Sequence, residues 1–320
     1  MSVFNSNSVL LSGLDGSNPL AFLAALGTLR VLSKMYPTEK LSMTWRVEDG
    51  AWRPVLVSSV LSIKQEALCD SLAEWLADPP QIKLLDENEI GDNLTISPSR
   101  FHELAHKYLQ SVIGESAESM VALEYFAAFG TDTTYQPHSK DHSLMQDTAL
   151  RTMSGAGHQH FVKFMREIVA NTSSLNLYST LFRPWTYEDE GRGMNLRWDP
   201  IDDRRYAMRW KNPSADPAKT MRGANRLAIE GLPLFPTATI GTRLQTTGFR
   251  SKRGAFWSWP IWDGDLEFPV IQGLLQLAAI STENSPEQRD ALRRRGISEI
   301  YESQRITIGK FRNFTPSKTK

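Results

Sequence analysis

The sequence predicts an α+β fold, with a mostly helical N-terminal half that contains a β-hairpin and a basic C-terminal half of strands and helices. Three observations lead to this prediction. Apolar residues recur at helical spacing in several segments of the first half. Alternating apolar residues precede the turn dipeptide Asp49-Gly50, and the balance of charges reverses near residue 183. Hydrophobic residues make up 41% of the 320 and charged residues 22%, which is typical of globular proteins and not of disordered chains.

The first element is a helix from Pro19 to about Met35. Asn18 is placed to cap it, and proline suits the first helical turn. Apolar residues occupy almost every side of this segment, so we expect a buried helix. Pro37 ends it, because the residue before a proline disfavours helical geometry.

A hairpin follows this helix. Residues 41–47 alternate between apolar and polar, and Asp49-Gly50 is a favourable turn. The returning strand runs from Trp52 to Val57. Its Pro54 predicts an edge strand, because proline has no N–H group for a second neighbouring strand.

The remaining elements alternate between helix and strand. Residues 131–157 and 183–220 are rich in polar residues and lack clear periodicity, so we expect irregular structure there. The tail from Glu299 is predicted to be a strand followed by a loose basic end. Further helices are predicted over 62–77, 98–113, 117–129, 158–169, 224–230, 270–280 and 286–295, and strands over 237–249 and 254–262.

The net charge of zero hides an uneven distribution of charged residues. Residues 1–182 carry 13 Lys and Arg against 20 Asp and Glu, and residues 183–253 carry 14 against 8. Residues 254–292 carry 1 against 6, and residues 293–320 carry 8 against 2. The reversal divides an acidic half, 1–182, from a basic half, 183–320, although the two could form one continuous domain. Two basic stretches suit contact with a polyanion, and they also suit a solvated face.

The single cysteine, Cys69, excludes an internal disulfide and a cysteine-based zinc site. It lies among apolar residues, which favours a buried structural thiol. The N-terminus has no signal-peptide pattern. No segment reaches about 18 uninterrupted apolar residues, so neither a membrane span nor a membrane partner is expected. We therefore expect a cytoplasmic protein.

All six histidines lie between residues 102 and 160, and His102 to His106 match the pattern H-E-x-x-H. At 100° per residue, the two imidazoles fall on the flank of the apolar stripe of their helix, and Glu103 points to solvent. A zinc peptidase needs these groups in a cleft, so we predict no metal site. A metal-dependent hydrolase, either a nuclease or an H-E-x-x-H peptidase, stays open as an alternative. Apart from the H-E-x-x-H pattern, a hydrolytic metal centre could form from His138, His142, His158 and His160 with Asp132, Asp141 and Asp147.

Residues 194–210 interleave arginines with aromatic residues in the sequence MNLRWDPIDDRRYAMRW. Guanidinium groups match phosphates bidentately, and aromatic rings stack on unpaired bases. The pattern favours contact with nucleic acid. The alternative is structural, since the three aspartates of the segment could pair with its arginines and the tryptophans could lie in the core. The candidate nucleic-acid-binding residues are Arg197, Arg204, Arg205, Arg209 and Lys211.

Two further basic segments carry candidates of the same kind. Residues 222–226 read RGANR and could begin a helix whose N-terminus faces an anion. Residues 246–253, TTGFRSKR, form a glycine-containing turn that could clamp a phosphate or be a solvated hairpin. The candidates here are Arg222, Asn225, Arg226, Arg250, Lys252 and Arg253.

Motifs of catalysis and of nucleotide binding are missing from the sequence. It has no Walker A pattern, no G-x-G-x-x-G after a predicted strand and no G-x-S-x-G. We therefore predict no catalytic residue, no bound metal and no cofactor, and favour a protein that is not an enzyme.

Four segments resemble proteins of type I-G (formerly I-U) CRISPR systems, in particular their large-subunit-like members. The first, LSGLDGSNPLAFLAALGTLRVL, is similar to the start of those proteins through Asn18, Pro19, Leu20, Leu26, Gly27, Leu29 and Arg30. The others are 151–161, 196–210 and 222–236, so that the resemblance covers about a quarter of the chain. It includes no catalytic motif, and the chain is short for a full large subunit, which puts recognition of a PAM in doubt.

The resemblance implies a subunit of an RNA-guided antiviral effector complex of the Cascade type. Such a subunit would contact guide RNA, target DNA or neighbouring subunits and would leave cleavage to a partner. From the charges, we expect RNA or DNA binding through phosphate contacts of residues 197–253. Two alternatives stay open, the metal-dependent hydrolase and a scaffold subunit that contacts only proteins.

Overall fold

The structure, a computed structural model, describes most of the chain. The described residues are 8–58, 64–77, 85, 90–113, 117–135, 143–153, 155, 159–187, 189, 195–202, 219–251, 255–283, 285–308 and 311–320.

The predicted α+β fold is confirmed, with helices in both halves and small antiparallel sheets. The described helices are α1 (Pro19–Met35), α2 (Gln65–Ala77), α3 (Pro98–Ile113), α4 (Ala117–Phe129), α5 (Phe161–Asn171), α6 (Ser174–Phe182), α7 (Arg222–Gly231), α8 (Phe268–Leu275), α9 (Ala278–Ser281) and α10 (Pro286–Arg293). The strands are β1 (Ser8–Leu10), β2 (Ser42–Glu48), β3 (Ala51–Val57), β4 (Gly130–Tyr135), β5 (Met145–Asp147), β6 (Thr237–Ile240), β7 (Arg243–Thr246), β8 (Phe249–Arg250), β9 (Ala255–Trp262), β10 (Leu266–Glu267), β11 (Ile297–Ile308), β12 (Phe311–Phe314) and β13 (Lys318–Thr319).

Helix α1 begins and ends where the sequence predicts. The Asn18 side chain accepts hydrogen bonds from the amides of Leu20 and Ala21, which satisfies two donors of the first turn. At the other end, the amide of Tyr36 donates to the carbonyl of Leu32. The helix is buried from Pro19 to Leu32, as its apolar composition predicts.

The predicted hairpin is also present, but its second strand is not an edge. Strands β2 and β3 pair around Asp49-Gly50, within a sheet of order β1-β3-β2-β10. The prediction of an edge from Pro54 is wrong because β1 pairs only with Val55–Val57, so that Pro54 lies beyond the end of that ladder. The missing N–H group therefore breaks no hydrogen bond to β1.

Helices α1 and α7 cross in close contact through two glycines. A Cβ on Gly27 would overlap the carbonyl oxygen of Leu227, and a Cβ on Gly231 would lie 2.6 Å from the carbonyl oxygen of Leu23. Both clashes are with backbone, which cannot rotate away as a side chain can. The glycines thus set the distance between the two helices.

The second sheet, of order β12-β11-β9-β8, packs its tryptophans against α1. Phe22 lies 5.8 Å from Trp45 and 5.8 Å from Trp259 between ring centroids. Trp259 donates its indole N–H to Gly16 at 2.8 Å, and Trp262 donates to the Met43 carbonyl at 2.8 Å. Residues from 1–182 and from 183–320 therefore share one hydrophobic core.

Several short elements differ from the sequence prediction. Strands β4 and β5 pair within 131–157, where we expected irregular structure, and α6 is an additional helix with a Ser173 capping box. The tail forms β12 and β13 in place of a loose end, since both pair with β11. These strands are short and form by pairing with β11. Local periodicity in the sequence does not predict such pairing. In the part of the chain that the structure describes, no helix is long and apolar enough to cross a membrane.

Candidate nucleic-acid interface

Six of the eleven predicted nucleic-acid-binding residues lie outside the described residues. The other five are Arg197, Arg222, Asn225, Arg226 and Arg250, and each has partners within the protein. The six outside are Arg204, Arg205, Arg209, Lys211, Lys252 and Arg253.

Arg226 and Asn225 are buried on α7. Arg226 has no exposed side-chain surface and donates to Glu230 at 2.8 Å. Asn225 is equally buried and accepts a hydrogen bond from the amide of Leu196 at 3.1 Å. Both side chains therefore hold the core together, and neither is placed to reach a phosphate.

Glu230 is the centre of a buried ionic network between α1, α4 and α7. Arg30 donates to its Oε2 at 2.9 Å and also pairs with Glu124, while Tyr125 donates to Glu230 at 3.3 Å. Burial alone would raise the pKa of Glu124, but the charges and hydrogen bonds of Arg30 and Lys34 together outweigh burial and lower that pKa. A carboxylate buried among guanidinium groups stays charged because its partners satisfy it.

Arg197 and Arg222 are also tied to neighbouring segments. Arg197 is buried with a φ of 57°, and its amide donates to Asn195 at 2.6 Å. Arg222 lies at the start of α7, where its amide donates to Asp189 at 2.8 Å and its guanidinium donates to the Asn171 carbonyl at 3.1 Å.

Arg250 lies at a basic groove on the second sheet. Its guanidinium forms hydrogen bonds of 2.9 to 3.1 Å with both carboxylate oxygens of Glu302 and lies 4.3 Å from the centre of the Phe256 ring. Glu302 is buried, and Ser258 donates to it at 3.3 Å. Arg250 thus neutralises a buried carboxylate and forms the floor of the groove.

The groove, which we name the C-terminal groove, has a volume of about 290 Å³. It carries four basic and two acidic side chains, so its net charge is +2. Its lining residues are Arg250, Glu283, Arg289, Glu302, Lys318, Thr319 and Lys320.

Strands β8, β11 and β13 and helix α10 meet to form the C-terminal groove. Strand β13 pairs with β11 so that Lys318 lies opposite Glu302 and Thr319 opposite Tyr301. Helix α10, which a Ser285 capping box starts, supplies Arg289. The amide of Lys320 donates to the Ile300 carbonyl at 2.9 Å, which fixes the end of the described chain beside β11.

The outer cations of the C-terminal groove are available to a ligand. Arg289 and Lys318 are exposed, and neither forms an ion pair with a described residue. Lys320 is half-buried, and its Nζ donates to the Ile280 carbonyl at 3.1 Å. Burial, together with the nearby Arg250, lowers the pKa of Lys320 to about 8, although Glu302 opposes the shift. The groove therefore has a positive potential that an anion would relieve.

The H-E-x-x-H segment has the geometry of a helix surface. His102 is exposed and bonds Asp132 at 2.6 Å, and His106 bonds Gln110 at 3.2 Å. Glu103 is 64% exposed and pairs with Arg100. A zinc peptidase would need both imidazoles and this carboxylate around one enclosed point, which the helix does not provide.

Other chemistry-bearing residues lend the hydrolase alternative no support. Of the four other histidines, His160 precedes α5 without capping it, and His138, His142 and His158 lie outside the described residues. Within the described ranges, no group of three His, Cys, Asp or Glu side chains could hold a metal ion. Cys69 is buried, and burial raises its pKa to about 12, so it is a poor nucleophile.

Sequence reasoning missed Arg289, Lys318 and Lys320. The signal was present for the two lysines, since residues 293–320 carry a net charge of +6. The sequence predicts a loose end after the strand that begins at Glu299, so the two lysines have no predicted position. Arg289 lies in an acidic stretch, and only the packing of α10 beside β11 brings it to the groove.

Comparison with known proteins does not identify the chain. No protein-family model matches it, and neither does any curated protein or solved structure.

Proposed function

We propose that the protein is a non-catalytic nucleic-acid-binding subunit that holds the backbone of RNA or DNA at the C-terminal groove. The observation that carries the proposal is the position of Arg289, Lys318 and Lys320 around one groove, with Arg250 already neutralising Glu302 beneath them. Arg289 and Lys318 are exposed cations without carboxylate partners among the described residues, and Lys320 shares Glu302 with Arg250 at 4.0 Å. Such cations suit phosphates, which supply most of the affinity of sequence-independent binding.

The resemblance to type I-G CRISPR proteins supports a place for this subunit in an RNA-guided effector complex. Its resembling segments include α1 and α7, which form the centre of the core. Lys252 and Arg253 follow Arg250 closely in sequence and lie outside the described residues. In this proposal the basic half contacts nucleic acid, and cleavage belongs to another protein.

The test compares binding of single-stranded RNA, single-stranded DNA and duplex DNA by fluorescence anisotropy. The groove variant carries Arg289→Gln, Lys318→Gln and Lys320→Gln and keeps Arg250, because Glu302 needs its buried partner. The control variant carries Lys40→Gln, Lys64→Gln and Lys163→Gln, three exposed lysines of the acidic half. It removes the same number of charges.

We expect the native chain to bind at least one of the three nucleic acids and the groove variant to bind it about tenfold or more weakly. The control variant should bind like the native chain. Absence of binding by the folded native chain would overturn the proposal and favour the scaffold alternative. Equal losses in the groove and control variants would also overturn it, since the groove would then have no special part.

A further inference from the structure

A second group of basic side chains lies on the face of the second sheet that carries Trp257 and Trp259, opposite to the face of Glu302 and the C-terminal groove. Strands β11 and β12 pair so that Arg305 lies opposite Phe314 and Thr307 opposite Arg312. Residues two apart in a strand share a face, so Arg305 and Arg312 are diagonal neighbours on one face. Arg305 donates to the Ala149 carbonyl at 2.6 Å, which brings the segment after β5 against them.

That segment adds a third arginine and one carboxylate. Arg151 pairs with Asp147 at 2.6 Å, and its Nη1 donates to the carbonyls of Asn93 at 3.3 Å and Met153 at 3.0 Å. We name Arg151, Arg305 and Arg312 the arginine cluster. Among the described residues, Asp147 is the carboxylate that acts on all three, so two positive charges are uncompensated.

The electrostatics of the cluster are those of a site that favours an anion. Burial and the charge of Arg312 lower the pKa of Arg305 to about 10, even though Asp147 opposes this. Burial and Arg151 likewise lower the pKa of Arg312. An arginine stays protonated at neutral pH, so these shifts reflect first the burial of charged guanidinium groups and then their mutual repulsion.

The hydrogen-bonding capacity of the cluster is also only partly used. The side chain of Arg312 is half-buried and forms neither a hydrogen bond nor an ion pair with any described residue. The Nε of Arg305 is buried and forms no hydrogen bond within the described ranges. Arg151, by contrast, uses both of its terminal nitrogens on Asn93, Met153 and Asp147. The Nε of Arg151 is buried and, like that of Arg305, forms no hydrogen bond within the described ranges. Unused donors therefore remain on all three arginines, and those of Arg312 include both of its terminal nitrogens.

We propose that the arginine cluster binds one phosphate group, with Arg312 and Arg305 as its donors and Arg151 as a positioning residue that holds Asp147. Planar guanidinium groups match the oxygens of a tetrahedral oxyanion and bind it bidentately. The phosphate can be free or part of a polynucleotide backbone. In the second case, the inference rests on the proposed function.

The cluster lies next to a segment with many basic residues. The short helix Pro200–Asp202 contacts β12, which carries Arg312. It ends immediately before Arg204 and Arg205 in sequence. A backbone phosphate bound at Arg312 would therefore lie close to the helix that ends at Asp202. This helix is part of the 194–210 segment, which contains arginines and aromatic residues.

Two titrations of the full chain test the inference, one with inorganic phosphate by calorimetry and one with a single-stranded oligonucleotide by anisotropy. The variants are Arg312→Gln, Arg312→Lys, the groove variant and, as a charge-matched control, Lys163→Gln. Arg312→Gln should melt at or above the native temperature, because it relieves repulsion. Arg312→Lys keeps the charge but loses the planar fork.

We expect the native chain to bind phosphate saturably, and Arg312→Gln should weaken this binding about tenfold or more. Arg312→Lys should weaken it less, and Lys163→Gln and the groove variant should leave it unchanged.

The native chain could bind the oligonucleotide but not free phosphate. If Arg312→Gln then lowers the oligonucleotide affinity and Lys163→Gln does not, the result would also support the site and assign it to a backbone phosphate. Phosphate binding without oligonucleotide binding would keep the site and overturn only the proposed function. Equal behaviour of native chain and Arg312→Gln towards both probes would overturn the inference.

Discussion

Arg30 of α1 donates to Glu230 of α7 at 2.9 Å, and this buried ion pair joins two segments 200 residues apart in sequence. Gly27 of α1 allows the two helices to approach, and Arg30 pairs with Glu230. These residues hold the core together.

Because α1 and α7 cross in close contact, adding one methyl group at Gly27 should strongly lower the stability of the fold. Gly27→Ala should lower the free energy of unfolding by about 3 kcal/mol or more, because the new Cβ meets the Leu227 backbone and the helices must separate. Gly273→Ala is the matched control within a helix, since no atom lies within 4 Å of its added Cβ. It should raise stability by up to about 1 kcal/mol. Urea denaturation measures both, and a Gly27→Ala chain of native stability would contradict the observed packing.

Two arginines of α7, four residues apart, should respond differently to the same substitution. Arg226→Met removes a fully buried partner of Glu230, and we expect a loss of about 3–5 kcal/mol. Arg222→Met removes a longer pair of 3.8 Å with Asp189 at the start of the helix and should cost about 1 kcal/mol or less. Thermal melting followed by circular dichroism compares them. Similar losses of stability in the two variants would contradict the expectation that the fully buried pair contributes more.

The helical elements were predictable from the sequence because their signals are local. Asn18 and Pro19 mark the start of α1, and apolar spacing marks α3 and α4, so those helices lie where we expected them. The prediction of an edge strand from Pro54 is wrong because a proline is tolerated inside a sheet where the neighbouring strand has already ended. The C-terminal groove was less predictable, since the pairing of β13 with β11 and the packing of α10 depend on tertiary contacts.

The same contrast holds for the predicted binding residues. The sequence correctly marked 197–253 as basic, but charge alone does not show that Arg226 is buried against Glu230 or that Arg250 neutralises Glu302. Arg250 and Glu302 are 52 positions apart in the sequence, and Arg226 is buried because α7 packs against α1. Only Arg250 among the five described candidates lines the C-terminal groove.

Lys320 gives the proposed binding a characteristic pH dependence. Its pKa of about 8 is below the ordinary lysine value of 10.5, so it loses its proton as the pH rises from 7 to 9. Nucleic-acid affinity should fall over this range, by no more than about fivefold for one contact. A bound phosphate favours the charged form, so the midpoint in the complex should lie above 8.

The Lys320→Gln variant is the control for that pH dependence. Its affinity should be lower at pH 7 and nearly constant up to pH 9, because the titrating amine is gone. Anisotropy titrations at constant ionic strength measure both proteins. A native chain whose affinity stays constant from pH 7 to 9 would exclude Lys320 from the interface.

The most direct test of the central claim is the dependence of affinity for single-stranded nucleic acid on salt concentration. Each phosphate contact contributes about −0.7 to the slope of log affinity against log salt concentration. Removal of Arg289, Lys318 and Lys320 should therefore make the slope less negative by about 2, while the Lys40, Lys64 and Lys163 control keeps the native slope. That result would establish backbone binding at the C-terminal groove. A groove variant with the native slope would contradict it.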